Sequence, residues 1–192
     1  MNDALGEIDS ISTRTKFSYG LGALGKDFAC SIVYLFLMYY YTDVAGVPAA
    51  FVGTLFLVVR IIDAVSDPVM GMIVDNTRSR FGKFRPWIIL GTVINSLALL
   101  ALFSAHLFSG SQLLLFVTVT YIVWGLTYTI MDIPFWSMVP ALSARREERE
   151  RLVVWPRLFA SIAWTIVGTY GLASIAFLGK GDEGRGFLLL SG

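Results

Sequence analysis

Charged residues are scarce in this chain. Asp, Glu, Lys and Arg make up 15% of its 192 residues, against roughly 25% in an ordinary soluble domain. So few charges cannot cover a water-soluble surface of this size, because 56% of the residues are hydrophobic. The surplus apolar side chains therefore face lipid, and the lipid bilayer is an expected partner. The composition predicts an all-α membrane protein.

Cysteine and histidine are almost absent as well. Cys30 is the only cysteine and His106 the only histidine. A single cysteine cannot form an intrachain disulfide, and neither residue has the companions that a metal centre requires. The net charge of +1 gives no electrostatic support for a nucleic-acid partner. We expect no cofactor and no enzymatic activity.

Long apolar runs are abundant, and a membrane helix needs about 20 mostly apolar residues. We predict five full transmembrane helices and the start of a sixth at Phe187. Residues 1–16 are predicted to be a cytoplasmic N-terminal tail, and residues 17–192 a single transmembrane bundle. The five helices are predicted at residues 17–42, 50–75, 86–105, 113–141 and 152–178.

Lys and Arg alternate between the predicted loops, and cytoplasmic loops carry an excess of both. Basic residues precede the first helix and fill the segments 76–85 and 144–151, whereas the segments 43–50 and 106–112 contain none. This pattern predicts a multi-pass protein of the inner or plasma membrane of the cell, with a cytoplasmic N-terminus.

Seven ionisable residues fall inside the predicted helices, where each charge costs at least about 2.5 kcal/mol on insertion scales. The rise of about 1.5 Å per residue places their carboxylates near the middle of the membrane. Three positive and four negative groups leave one negative charge, which a monovalent cation would neutralise. They are Lys26, Asp27, Arg60, Asp63, Asp67, Asp132 and Arg157.

Asp63 and Asp67 are four residues apart, so they share one face of a helix. Two buried carboxylates this close repel each other unless a cation or a proton lies between them. Ser66 and Thr129 add hydroxyl oxygens, which suit a hard cation. We predict a monovalent coupling-cation site at these four residues. The structural alternative is an ion pair between Asp63 and Arg60.

Aromatic residues lie at the same depth. Tyr128, Asp132 and Trp136 follow each other at intervals of four residues, so they form one stripe of a helix. Tyr34, Tyr128 and Trp136 are candidates for stacking on the apolar face of a sugar. Tyr39, Tyr40 and Tyr41 are interpreted as an interfacial belt, and Trp87, Trp124, Trp155 and Trp164 as packing or belt residues. Pro134 and Pro140 are expected to interrupt the fourth helix.

Four segments resemble the melibiose permease family, the glycoside-pentoside-hexuronide cation symporters of the major facilitator superfamily. They are residues 25–29 (GKDFA), 38–43 (MYYYTD), 60–68 (RIIDAVSDP) and 128–136 (YTIMDIPFW). Residues 71–85 also resemble that superfamily's loop between its second and third helices. The resemblance implies the N-terminal helical bundle of a twelve-helix transporter, whose missing C-terminal six-helix half would be a partner of this chain.

The resemblance also implies a function, namely symport of a galactoside-type sugar with Na+, Li+ or H+ by alternating access. Ser66 stands where the family has an asparagine. The carbonyl oxygen of an asparagine is a better sodium ligand than a hydroxyl, so the substitution favours lithium or proton coupling. By motif position, the cation residues are Asp63, Asp67 and Thr129, and the sugar-binding residues are Lys26, Asp27, Tyr34, Tyr128, Asp132, Trp136 and Arg157.

Three alternatives stay open. The first is a transporter of the same fold for another substrate, such as a uronic acid, a pentoside or a lipid. The second is a membrane-embedded enzyme that uses the carboxylates as metal ligands, although no nucleophile–base pair accompanies them. The third is a scaffold or channel formed when copies of the chain assemble with each other.

Overall fold

A computed structural model describes residues 11–192, and that part of the chain folds into helices without any strand. Five helices are long and apolar enough to cross a membrane. This confirms the predicted all-α membrane fold with five full spans and the beginning of a sixth. The helices are α1 (Thr13–Tyr39), which continues as a π-helical turn (Tyr40–Val44), α2 (Ala49–Asn76), α3 (Arg85–Leu102), α4 (Gly110–Leu142), α5 (Arg146–Gly179) and α6 (Glu183–Ser191), with a 3₁₀ turn at Ala105–Leu107.

Two helices begin four or more residues before the predicted position. Helix α1 begins at Thr13, because the Ser12 side chain accepts a hydrogen bond from the Thr15 amide at 3.1 Å and caps the first turn. Its first residues therefore belong to the predicted N-terminal tail, whose residues 1–10 lie outside the described part. Helix α5 begins at Arg146, so most of the predicted charged loop 144–151 is helical.

The charged start of α5 fastens this helix to α1. Glu148 is buried, with 6% of its surface exposed. Its carboxylate accepts hydrogen bonds from the Lys16 ammonium at 3.0 Å and from the Ile11 amide at 3.2 Å. A third donor is Arg151 on the next turn, at 3.4 Å. Hydropathy alone cannot show this contact, because Lys16 and Glu148 are far apart in the sequence.

The helices pack mainly in pairs, α1 against α5 and α4 against both α2 and α3. Glycines allow the backbones to approach closely, as is common between membrane helices. A methyl group added at Gly91 of α3 would lie 2.8 Å from the Met131 amide nitrogen of α4. One added at Gly171 of α5 would lie 2.5 Å from the ring of Phe36 on α1.

Helix α4 runs without interruption through both of its internal prolines, Pro134 and Pro140. The expected break is therefore wrong. A membrane helix tolerates proline where neighbouring groups compensate for the lost hydrogen bonds. Because α4 is continuous, residues 121–136 keep regular helical spacing, and the candidate site residues of α4 lie among them.

An aromatic cluster closes the end of the bundle at which α1 meets α6. Tyr40 and Tyr41 are fully buried, so the interpretation of these two residues as an interfacial belt is wrong. The Tyr40 hydroxyl donates to the Phe103 carbonyl at 2.6 Å, and Phe103 stacks on Phe187 of α6 with 5.4 Å between ring centres. Only Tyr39 of the three tyrosines is exposed.

Candidate functional site

Lys26 on α1 is the centre of a buried polar cluster. Its side chain is 6% exposed, and its ammonium lies 2.6 Å from Asp132 Oδ1 and 3.4 Å from Asp27 Oδ2. The ammonium also donates to the Tyr128 hydroxyl at 3.2 Å. One cation thus holds two carboxylates, one on its own helix and one on α4.

Asp132 has a second donor on its own helix, since the Trp136 indole N–H donates to Asp132 Oδ1 at 3.1 Å. Trp136 and Tyr128 are each four residues from Asp132, so the three side chains share one face of α4. The Lys26 ammonium lies 5.4 Å from the centre of the Tyr128 ring and 5.8 Å from that of Trp136, within the range of cation–π attraction. The arrangement offers charged donors and acceptors beside two aromatic faces.

The candidate cation residues lie between α2 and α4. The Thr129 hydroxyl donates to Asp67 Oδ1 at 2.9 Å. Asp63 Oδ2 lies 3.5 Å from an Arg60 guanidinium nitrogen, which is the ion pair of the structural alternative. The Ser66 hydroxyl instead donates to the backbone carbonyl of Asp63 at 3.3 Å. Asp63, Asp67 and Thr129 therefore face one region, and Ser66 is bonded to its own helix.

Tyr34 lies beside Arg60 and not beside Lys26. An Arg60 nitrogen donates to the Tyr34 hydroxyl at 2.6 Å, and the guanidinium carbon lies 5.0 Å from the centre of the Tyr34 ring. This contact connects α1 to the middle of α2, where Asp63 lies. It places a candidate sugar-stacking residue next to the candidate cation residues.

One cavity borders both groups of residues. It has a volume of about 190 Å³ and lies between α1, α2 and α4. Carboxylates from both groups line it, Asp63 and Asp67 on one side and Asp132 on the other. Its other lining residues are Tyr34, Arg60, Trp124, Gly125, Tyr128, Thr129 and Ile133.

Comparison with known proteins shows the family to which the chain belongs. A family model described as "MFS/sugar transport protein" matches residues 18–191. The chain belongs to this family of the major facilitator superfamily. Together with the relatives described next, this match confirms the resemblance to the glycoside-pentoside-hexuronide symporters. The names of the family and of the relatives indicate transporters and not enzymes.

Several relatives in this transporter family are similar over most of the chain. It is 36% identical to the candidate glycoside/cation symporter YagG of Escherichia coli (strain K12), over 92% of the chain and 38% of YagG. It is 36% identical to the isoprimeverose transporter of Lactiplantibacillus pentosus, over 87% of the chain and 35% of that protein. It is 38% identical to a glucuronide carrier protein homolog of Escherichia coli (strain K12), over 80% of the chain and 34% of that protein. The chain thus spans little more than a third of each of these relatives.

Arg157 stands apart from the other residues that the family resemblance assigns to the sugar. Among residues 11–192, no hydrogen bond or ion pair joins its side chain to Lys26, Asp27 or Asp132. It lines a separate cavity of about 430 Å³ at the start of α5, together with Arg146, Arg149, Glu150, Val153 and Val154. The structure therefore brings six of the seven predicted sugar residues to the Lys26 cluster and the 190 Å³ cavity, and leaves the seventh outside.

Trp124 is one of the residues that the sequence analysis interprets as packing or belt residues, and it is packed, because it is 3% exposed and belongs to the buried core. It also lines the cavity together with Arg60, Asp63 and Asp67, so it joins the candidate site, to which the sequence analysis did not assign it. Its ring stacks on Tyr128 at 5.5 Å and meets Tyr34 edge-on at 6.1 Å between centres. The helical spacing places Trp124 on the same face of α4 as the candidate site, because Trp124 precedes Tyr128 by four residues and continues the stripe of Asp132 and Trp136.

Proposed function

We propose that this chain is the ion- and sugar-binding N-terminal part of a cation-coupled sugar symporter. The observation that supports this proposal is that a single cavity is lined by Asp63 and Asp67 of α2 and by Tyr128 and Asp132 of α4. Carboxylates at membrane depth are costly and are characteristic of substrate and ion pathways. Because the cation and the sugar would border the same cavity, the binding of one can affect the binding of the other.

In the proposed mechanism the cation binds first, at Asp63, Asp67 and Thr129, and neutralises the repulsion between the two carboxylates. The Arg60 guanidinium, 3.5 Å from Asp63, then loses its attraction to that carboxylate. The sugar binds at the Lys26 cluster, where its hydroxyls replace the contacts among Lys26, Asp27 and Asp132. The loaded, nearly neutral protein alternates between outward-facing and inward-facing states, and the half-loaded protein does not.

For the substrate we propose a galactoside-type sugar. Tyr128 and Trp136 provide aromatic faces, and Lys26 with Asp27 and Asp132 provides donors and acceptors for hydroxyl groups. The names of two relatives, an isoprimeverose transporter and a glucuronide carrier protein homolog, favour a pentoside or a uronic acid as the second candidate. Under that candidate, Arg157 in its basic cavity would receive the carboxylate of a uronide.

For the cation we propose Na+, Li+ or H+, with Li+ or H+ favoured by Ser66. Asp63, Asp67 and Thr129 line the shared cavity, whereas the Ser66 hydroxyl contacts the Asp63 backbone carbonyl on its own helix, so we assign the ion to the side-chain oxygens of Asp63, Asp67 and Thr129. A small cation or a proton fits these few side-chain oxygens better than a large cation does.

The topology of the proposal follows from the basic segments. Five spanning helices and the family make the chain part of an integral, multi-pass membrane protein. We propose that the N-terminus is cytoplasmic in the inner or plasma membrane, and that a C-terminal six-helix half provides the opposite wall of the substrate path. The chain alone is then expected not to transport.

The test is uptake of a radiolabelled α-galactoside by membrane vesicles that contain the full-length protein. Gradients of Na+, Li+ and H+ are imposed in turn, and labelled pentosides and glucuronides are added as competitors. We expect one gradient to drive uptake and Asp63→Asn to abolish it, with Asp75→Asn as the matched control, since Asp75 pairs with Lys83 outside the cavity. An Asp67→Asn protein that retains normal cation-stimulated sugar binding refutes the proposed cation site.

A further inference from the structure

Trp124 carries a buried hydrogen-bond donor without an acceptor. The residue is 3% exposed, and its indole nitrogen has no partner among the described residues. Tyr121 and Tyr128 stack on the ring with centres at 6.0 and 5.5 Å, so the side chain is held in place. Buried polar groups are nearly always hydrogen-bonded, and an exception calls for an explanation.

Asp63 carries the complementary group. One of its oxygens, Oδ2, faces Arg60, whereas Oδ1 is buried and has no partner within residues 11–192. A methyl group added at Gly125, the neighbour of Trp124, would lie 3.4 Å from this Oδ1. The unpaired acceptor therefore lies against the backbone of α4, one residue along this helix from Trp124.

Both residues line the same cavity of about 190 Å³. A single water needs only about 10–15 Å³ of such space, so the cavity has room for a larger polar group. The two unpaired atoms are themselves covered in the structure, so an occupant reaches them after a small movement of the lining side chains. An occupant that satisfies both residues must accept a hydrogen bond from an N–H and donate one to a carboxylate. A hydroxyl group does both at once, whereas a metal cation cannot accept and a carboxylate cannot donate.

We propose that Trp124 Nε1 and Asp63 Oδ1 together bind one hydroxyl group, which makes Trp124 a ligand-binding residue between the cation and sugar regions. The hydroxyl comes either from the sugar or from a water molecule that enters with the coupling cation. This inference rests on the proposed function, because it needs a sugar or a cation to reach the cavity.

The experiment observes the indole N–H directly. The full-length protein is labelled with ¹⁵N-tryptophan, placed in lipid nanodiscs and studied by ¹H–¹⁵N NMR spectroscopy. Trp124→Phe assigns the signal by its disappearance and retains the aromatic ring, and Trp136→Phe assigns the reference signal of the sugar region. The ligands are NaCl, LiCl, methyl α-galactoside and the monodeoxy derivatives of this sugar.

If the hydroxyl belongs to the sugar, the Trp124 signal shifts when methyl α-galactoside is added, and one monodeoxy derivative fails to shift it. If it belongs to a water molecule that accompanies the cation, NaCl or LiCl alone shifts the signal, and Asp63→Asn abolishes this response. If methyl α-galactoside shifts the Trp136 signal but none of the ligands shifts the Trp124 signal, the inference is wrong while the proposed function stands.

Binding measurements give a second readout. A hydrogen bond of ordinary strength corresponds to a change in affinity of up to about tenfold. We expect Trp124→Phe to weaken binding of methyl α-galactoside, or of the cation, by about that factor. Trp155→Phe is the control, because Trp155 contacts Phe17 and Phe159 away from the cavity, and its affinities should match those of the unmodified protein. Unchanged affinities in Trp124→Phe overturn the inference. Absence of both binding and uptake in the unmodified protein refutes the proposed function, and the inference with it.

Discussion

The Lys26 ammonium on α1 lies 2.6 Å from Asp132 Oδ1 on α4, although 106 positions separate the two residues in the chain. The same ammonium lies 3.4 Å from Asp27. One positive charge is thus shared between two carboxylates in a side-chain environment with little access to solvent. Because an unpaired charge at membrane depth is expensive, this contact both joins two helices and prepares a binding site.

We expect Lys26→Met to lower the free energy of unfolding by about 3 kcal/mol, because removal of one partner leaves buried charge uncompensated. Adding Asp132→Asn to the variant should recover part of this loss, since a neutral amide replaces one of the two unpaired carboxylates. Denaturant titration of the purified full-length protein measures both effects. Asp132→Asn is also measured alone, and if it changes the free energy of unfolding equally with and without Lys26, the pair contributes no coupling energy.

Hydropathy and helical spacing were sufficient to predict the spans and the composition of the buried cluster. Each span is a long apolar run, and its length follows from the thickness of the bilayer. The ionisable residues within these runs must avoid lipid, so the convergence of six of the seven on one region could be inferred before any contact was known. Arg157 is the exception, since it lines a separate cavity. The stripe of Tyr128, Asp132 and Trp136 follows from helix geometry alone.

The rotation and packing of each helix could not be predicted in this way. Tyr40 and Tyr41 follow an apolar run and therefore resemble interfacial residues, but α3 and α6 cover them. Trp124 is interpreted from the sequence as a packing or belt residue, and only the packing of α2 on α4 shows that it lines a cavity together with Asp63 and Arg60. Because lipid and protein core are equally apolar, hydropathy does not distinguish these two environments.

Thr129→Val tests the hydrogen bond to Asp67, which spans 2.9 Å between α4 and α2. Valine has nearly the same shape but cannot donate, and hydrogen bonds to charged groups contribute about 1.5–3 kcal/mol. We expect the cation concentration that half-maximally stimulates sugar binding to rise by about tenfold or more. The control is Thr118→Val on the same helix, because the Thr118 hydroxyl bonds only to Leu114 of its own helix. A similar change in both variants would remove Thr129 from the cation site.

Gly91→Ala tests the close packing of α3 on α4. The added methyl group would lie 2.8 Å from the Met131 amide nitrogen, and a backbone atom cannot move aside as a flexible side chain can. We expect a loss of about 1–3 kcal/mol in the free energy of unfolding. Gly53→Ala in α2 meets no atom within 4 Å, so it should be neutral or stabilising by up to about 1 kcal/mol. Thermal unfolding of the two purified variants decides between these outcomes.

Tyr34→Phe separates two roles of Tyr34. The Tyr34 hydroxyl accepts a hydrogen bond from Arg60 at 2.6 Å, and Arg60 lies 3.5 Å from Asp63. Without the hydroxyl, the guanidinium is held only by Asp63 and competes with the cation for that carboxylate. Partly exposed ion pairs are weak, so we expect the apparent cation affinity to fall by about two- to fivefold.

Calorimetric titration of the sugar at several cation concentrations measures this effect, with Tyr170→Phe as the control, since Tyr170 is exposed on α5. At saturating cation the Tyr34→Phe protein should bind the sugar nearly as well as the unmodified protein, because the cation then displaces Arg60 from Asp63. A sugar-stacking role alone predicts a different result. The aromatic ring is retained, so neither the cation dependence nor the sugar affinity would change, and that outcome would show that the Tyr34 hydroxyl has no part in the balance between Arg60 and the cation.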